Sequence, residues 1–268
     1  HAMFGLLRQA KSRDVLMIGC GGGTLATMLH RVGVNAVIVD IDPASFQIAH
    51  DYFHLPRAIE CHVADGKKYL QKETRRFDAI VLDAYSAQEI PKQFTTTAFY
   101  GLAKSRLRAR NAFLLANVIL KDDDDPKAGL LMRAMRKTWR DVRLLDSIGY
   151  LNRNAVIAAG SVRNLRKPRL LMPPAVGARK LGADMKVLAW HTPKSKETAR
   201  LKKRSFSLAG HRTSVALEAE FWAVIEAEAA RAGKSLAAFV SQIDASRGEF
   251  PLASALRLTA LAAAKSAP

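Results

Sequence analysis

Cysteine is nearly absent from this chain: Cys20 and Cys61 are the only two in 268 residues. That is too few for a disulfide framework and fits a cytoplasmic setting. Metal-ligand groups are sparse as well. His50 and His54 stand one helical turn apart around Asp51, no third ligand cluster accompanies them, and no metal site is expected. No apolar run is long enough to span a bilayer, and no signal peptide is visible, so no membrane association is expected. Acid is scarce: 24 Asp and Glu face 42 Lys and Arg, a net charge of +18.

That charge is unevenly spread. Residues 1–160 carry a net +7, residues 161–205 a net +11, and residues 206–268 none. The basic stretch ends in KSKETARLKKR, residues 194–204, which reads as a solvated linker or as a sign of a polyanion nearby, most often nucleic acid. Apolar residues make up 49% of the chain, enough for a sizeable core, and the length suits one large domain or two unequal ones. His1, Ala2 and Met3 read as a cloning remnant without information on the fold.

Glycine is concentrated where packing needs it least. In VLMIGCGGGTLATMLHRVGVNAVIVDIDP, residues 15–43, a short apolar run (Val15 to Ile18) meets a glycine turn, then a helical pattern from Thr24 to Arg31 and a second apolar run, Ala36 to Val39. Strand, turn, helix and strand form a βαβ unit, whose first turn lies at the carboxyl ends of the strands, where ligands bind in open α/β sheets. Gly19, Gly21 and Gly23 match G-x-G-x-G and not the dinucleotide pattern, since Thr24 takes the sixth place. Asp40 ends the second strand, where a carboxylate can take two ribose hydroxyls.

Further along, a helix starting at Pro43, strands at Ile59–Val63, Phe77–Leu82 and Ala112–Val118, and helices at Thr97–Leu107 and Pro126–Trp139 continue the alternation. Val142–Ser147 and Ala155–Ala159, joined by GYLNRN, form an antiparallel hairpin. The expectation is a doubly wound parallel sheet with one antiparallel edge. Asp65 and Asp83, like Asp40, end predicted parallel strands and would face one crevice. The aspartates of KDDDDPK, Asp122 to Asp125, follow the fifth strand and offer either a cation site or a loop in which Asp125 caps the next helix.

The ordered words VLMIGCGGG, VDIDP, VADGKKYL and FDAIVLDAYSAQEIP resemble the spermidine synthase-like family over roughly residues 12–190. The resemblance implies the seven-stranded, Rossmann-like sheet of class I S-adenosylmethionine-dependent transferases. It implies S-adenosylmethionine or its decarboxylated form as the nucleotide. Gly19, Gly21 and Gly23 match the loop around the methionine moiety, Asp40 the ribose-binding acid, and Asp65, with Gly66 beside it, the acceptor for the adenine amino group. Asp83 matches the carboxylate that takes a proton from the attacking amine. Two family acids are replaced here, by Gly22 in the loop and by Ser86 three residues after Asp83. A polyamine needs several carboxylates, so aminopropyl transfer to a cationic amine and plain methyl transfer both stay open.

From Ser205 the pattern changes. SFSLAGHRTSVALE alternates, and three helical stretches follow. Gly210 to Ser214, Phe221-Trp222 and Ser254 to Arg257 resemble the ribbon-helix-helix domains of small bacterial regulators. That resemblance implies a homodimer in which each chain contributes one strand to a DNA-binding ribbon. Val215 and Leu217 would face the core, Arg212 and Ser214 the DNA, and Lys202 and Lys203 the phosphates. The expected plan is a transferase domain at 4–193, a basic linker at 194–204 and a ribbon-helix-helix module at 205–268. A non-enzymatic DNA-binding regulator with a vestigial nucleotide site is the competing plan.

Overall fold

The computed structural model describes residues 1–85, 89–191, 202–208, 211–248 and 251–266. It divides into two compact units, His1–Pro193 and Lys194–Pro268.

The first unit opens with helix α1 (Ala2–Gln9), so Ala2 and Met3 belong to the fold rather than standing outside it. The apolar side of α1 buries Phe4, Leu6 and Leu7, which accounts for its order. Strand β1 (Asp14–Ile18), helix α2 (Thr24–His30) and strand β2 (Asn35–Asp40) form the expected βαβ unit. Helix α3 (Pro43–Phe53) starts where Asp42 accepts from the Ala44 N–H and Pro43 sets the first helical turn. Strand β3 (Glu60–Val63) leads into helix α4 (Gly66–Lys72), capped by Asp65. Strand β4 (Ala79–Leu82), a 3₁₀ turn (Lys92–Phe94), helix α5 (Thr97–Ser105), strand β5 (Phe113–Leu120) and helix α6 (Lys127–Arg136) follow. Strands β6 (Val142–Asp146) and β7 (Arg153–Gly160), helix α7 (Ala178–Val187) and strand β8 (Ala189–His191) close the unit.

These strands form one sheet in the order β3-β2-β1-β4-β5-β7-β6-β8. The first five are parallel, and β7, β6 and β8 are antiparallel to their neighbours. The sheet therefore has eight strands rather than the seven expected. The extra one, β8, is three residues long and too short to announce itself by periodicity. Alternate strand residues enter two cores. Leu16, Val37, Ile80 and Leu114 pack with α4, α5 and α6, whereas Val15, Ala36, Ala79 and Phe113 pack with α1, α2 and α3. Helices on both faces explain why the strands read as unbroken apolar runs. Arg75 clamps one margin of the sheet, with both terminal nitrogens on Glu60 and further bonds to Glu73.

The second unit holds a two-stranded antiparallel ribbon, β9 (Lys202–Leu208) and β10 (His211–Leu217), and three helices, α8 (Ala219–Arg231), α9 (Leu236–Ser246) and α10 (Leu252–Ser266). Two expectations change here. Lys202 to Arg204, assigned to the basic linker, lie in β9, and residues 192–201 fall outside the described residues. The strand expected to need a second chain pairs within its own chain instead. A hairpin brings two half-buried strands together locally, so Phe206, Leu208, Val215 and Leu217 cover Trp222, Ile225, Val240 and Leu256 without a partner. Arg257 grips Glu218 with two hydrogen bonds, tying α10 to the start of α8 and holding the Glu218 carboxyl below its usual pKa.

Among the described residues no helix is long and apolar enough to cross a membrane.

Candidate functional site

Parallel pairing brings the ends of β1, β2, β3 and β4 to one edge of the sheet, and the predicted acids with them. The turn after β1 depends on Gly19, at φ +101°. A Cβ there would lie 2.2 Å from the Asp83 carbonyl oxygen, so only glycine lets this turn lie against the end of β4. Gly21 is also left-handed, at φ +51°, but a Cβ on it would meet nothing within 4 Å and would stand in open space. Gly23 has a different place: it is the left-handed N-cap of α2. At Gly66 a Cβ would sit 2.5 Å from Ile18 Cγ2, so its bareness lets α4 start against β1.

Each acid is held by donors. Asp40 accepts from the Cys20 N–H at 2.7 Å through Oδ2 and from the Asp42 N–H at 2.9 Å through Oδ1. A carboxylate has about four lone-pair sites, so these two bonds fix its plane and leave capacity for hydroxyls. Asp65 accepts from the Lys68 N–H at 2.9 Å and from Gln93 Nε2 at 2.7 Å. Burial alone would raise its pKa; these bonds and the Lys67 N–H outweigh it and keep the carboxyl below its usual value. Asp83 Oδ1 accepts from Asn117 Nδ2 at 2.9 Å.

Gly19, Gly21, Asp40, Asp65, Gly66 and Asp83 line one cleft of ≈ 680 Å³. Of the predicted cleft residues only Gly23 is not on its wall. Among the described residues Asp42 also lines it and no Lys, Arg or His side chain does, which puts four carboxylates on its walls; the His1 ammonium is near enough to feel the Asp83 charge. Sequence reasoning passed over Asn117 and Gln93. Asn117 carried a signal, as the one polar side chain within FLLANVIL; Gln93 carried none. The Cys20 thiol next to Asp40 is pushed up to about 12 by burial and by the Asp40 charge, so it stays protonated.

The family acid replaced by Gly22 has a structural counterpart. A Cβ at Gly22 would come within 3.1 Å of the Phe53 ring, so the ring stands where that side chain would begin. Ser86 lies outside the described residues. Asp122, Asp123 and Asp125 are each held by donors of the chain itself. Asp125 accepts from the Lys121 and Lys127 N–H groups, Asp122 from the Asp124 N–H, and Asp123 accepts from the Gly149 N–H and pairs with Arg153 at 2.9 Å. Asp125 thus takes the Lys127 N–H at the start of α6, whose N-cap is Pro126. His50 bonds the Leu55 carbonyl through Nδ1 at 2.7 Å, and His54 ends α3 in a left-handed conformation.

In the second unit the register sets Arg212 opposite Ser207, Ser214 opposite Ser205 and Ala216 opposite Lys203. Ser205 and Ser214 hydroxyls meet at 3.0 Å. Lys203, Ser205, Ser207 and Ser214 are exposed, on the face opposite buried Phe206, Val215 and Leu217. Lys202 stands opposite Leu217, one residue out of phase with Lys203. Arg204 lies on the covered face, over the Trp222 ring at 4.9 Å and paired with Glu226.

Comparison with known proteins agrees with both halves. Residues 15–104 match the model of a methyltransferase domain, and residues 201–264 that of a ribbon-helix-helix domain. The two matches follow one another along the chain in that order. Among curated proteins it is similar to a polyamine aminopropyltransferase of Vibrio vulnificus, 31% identical over 42% of this chain and 40% of that protein. It is also similar to an eEF1A lysine and N-terminal methyltransferase homolog of Drosophila melanogaster, 31% identical over 41% of this chain and 18% of that protein. The chain thus matches less than half the length of these two relatives. Two solved structures share the fold. A probable spermidine synthase from Corynebacterium glutamicum aligns with a TM-score of 0.55 at 16% identity, covering 70% of this chain and 71% of that one. Human methyltransferase-like protein 13 aligns at 0.51 and 20% identity, covering 74% and 96%.

Proposed function

We propose that the first unit is a spermidine synthase-like transferase that binds S-adenosylmethionine or decarboxylated S-adenosylmethionine. The observation that carries this reading is the convergence of Gly19, Gly21, Asp40, Asp65, Gly66 and Asp83 on one cleft. The cleft fits such a group on its own terms: bare Gly21 leaves room for close backbone approach, and four carboxylates suit a cationic nucleotide. Asp40 would take the ribose hydroxyls, Asp65 the adenine amino group, and the Gly19 to Gly23 loop the methionine-derived chain. When bound, the nucleotide supplies a sulfonium-linked carbon, whose bonding pair stays with sulfur as the acceptor's lone pair makes the new bond. Asp83, oriented by Asn117, takes the proton that the acceptor nucleophile gives up. The likeness to both aminopropyltransferases and methyltransferases supports a transferase without choosing the group transferred. Free thiols at Cys20 and Cys61 support a cytoplasmic setting.

The test is product release. Incubation with either nucleotide and a pool of candidate acceptors should liberate methylthioadenosine or S-adenosylhomocysteine, as read by mass spectrometry. Replacing Asp83 with Asn should slow release by about 10²–10⁴-fold, the usual contribution of a positioned base. Equal rates for wild type and Asp83→Asn would remove Asp83 from the reaction.

For the second unit we infer a homodimer that meets DNA with its ribbon. The bare face carrying Lys203 and Ser214 supports this, together with the register that sets Arg212 opposite Ser207. Among the described residues the ribbon has only two strands, so the far edge of β10 has no strand beside it and is open to a second copy. Sedimentation and a DNA anisotropy titration at two salt concentrations test the two halves of this inference separately.

A further inference from the structure

A second cavity, of ≈ 400 Å³, adjoins the cleft through Tyr85, which lines both. The 3₁₀ turn separates them: Gln93 faces the cleft, and its neighbour Lys92 faces the second cavity. Val118 and Ile119, which follow Asp83's partner Asn117 on β5, form part of the wall. The cavity thus lies beside the carboxylate that the proposed reaction uses as base, where an acceptor has to sit. Its chemistry is unlike that of the cleft. Val118 and Leu131 make its walls apolar, and its charged groups are Lys92, Lys127 and Glu89.

We propose that this cavity is the acceptor subsite and that it selects a molecule with an apolar body and a negative charge, rather than a polyamine. The proposal rests on the transferase reading given above. A diamine placed here would bring its distal ammonium among apolar walls and two lysines, with Glu89 as the one lining carboxylate among the described residues. Desolvation and like-charge repulsion both oppose that. The neighbouring acids do not reverse the balance. Asp125 already accepts two backbone N–H groups and lies 3.8 Å from the Lys127 ammonium, Asp122 accepts from the Asp124 N–H, and Asp123 pairs with Arg153. A carboxylate or phosphate on the acceptor meets two ammonium groups, and its apolar portion meets Val118 and Leu131. The Tyr85 hydroxyl is buried beside the Ile119 backbone without a hydrogen-bond partner of good geometry. Burial and the Asp83 charge push its pKa up, so it remains a neutral donor for the acceptor.

Calorimetry separates this proposal from the reading beneath it. The full chain is titrated first with S-adenosylmethionine and its decarboxylated form, then, saturated with the nucleotide that binds, with octanoate, octylamine and putrescine. Octanoate is expected to bind at least about tenfold more tightly than either amine, the effect of one well-placed charge in a partly buried site. Lys92→Glu combined with Lys127→Glu should invert the order, and Lys92→Glu alone, at an exposed position, should narrow it. Preference for an amine in the wild type, or an order that charge reversal leaves unchanged, overturns the proposal and leaves the nucleotide reading standing. Failure of both nucleotides to bind overturns the nucleotide reading and the acceptor assignment together.

Discussion

The two units solve the same problem, what to do with a sheet's exposed polar edge and face, in opposite ways. In the first, helices cover both faces of the sheet, and the bare chemistry is confined to the strand ends, where Asp40, Asp65 and Asp83 gather. In the second, helices cover one face of a two-stranded ribbon, and the other face is left to Lys203 and three serines. The proposed chemistry lies at the ends of buried strands, and the proposed recognition face lies along the side of a half-covered ribbon.

If the two units are as separate as that contrast implies, damage to one should spare the other. Trp222→Ala removes the largest side chain buried in the second core and should cost about 3–5 kcal/mol. The second unit should unfold by circular dichroism while nucleotide binding to the first is unchanged; joint loss would break the comparison. Gly19→Ala is the converse. It forces a side chain into a left-handed turn against the Asp83 carbonyl and should cost the first unit about 1–3 kcal/mol or more, read from its own urea transition, with the second transition unmoved.

Acid separates the units less sharply. Hydrogen bonds from Arg75 outweigh burial and hold Glu73 at about 2 against an ordinary 4.5. The folded value lies below the unfolded one, so this stabilisation is complete above about 4.5 and is lost as pH falls towards about 2. The urea midpoint of the first unit should fall across that window, and Arg75→Gln should flatten the slope. The smallest effect belongs to Lys203→Ala. It should weaken binding to all DNA sequences alike and reduce the salt slope by about one, whereas Arg212→Ala should remove sequence preference. Equal behaviour of the two variants would merge the roles assigned to them.

Much of the first unit was legible because its local signals agree. Continuous apolar runs gave β1, β2 and β4, Asp42-Pro43 marked the start of α3, and each predicted acid ends or follows a strand. Gly23 caps α2 while Gly19 and Gly21 line the cleft, a difference that glycine density alone does not show. The acidic run was ambiguous for a similar reason. Four aspartates look alike in sequence, and only Gly149 and Arg153, distant in the chain, show what Asp123 binds. In the second unit the alternation was read correctly for burial at Val215 and Leu217, yet it continued through two paired strands, which looked like one. Periodicity reports which face is covered and is silent about which strand lies alongside.

Asp40 and its neighbours are proposed to form a nucleotide site. Calorimetric titration of the wild type and of Asp40→Ala with S-adenosylmethionine, its decarboxylated form and methylthioadenosine tests it most directly. At least one should bind the wild type, and Asp40→Ala should weaken it by about 1–3 kcal/mol, the cost of leaving buried hydroxyls without their charged partner. Absence of binding by all three to the wild type would contradict the account.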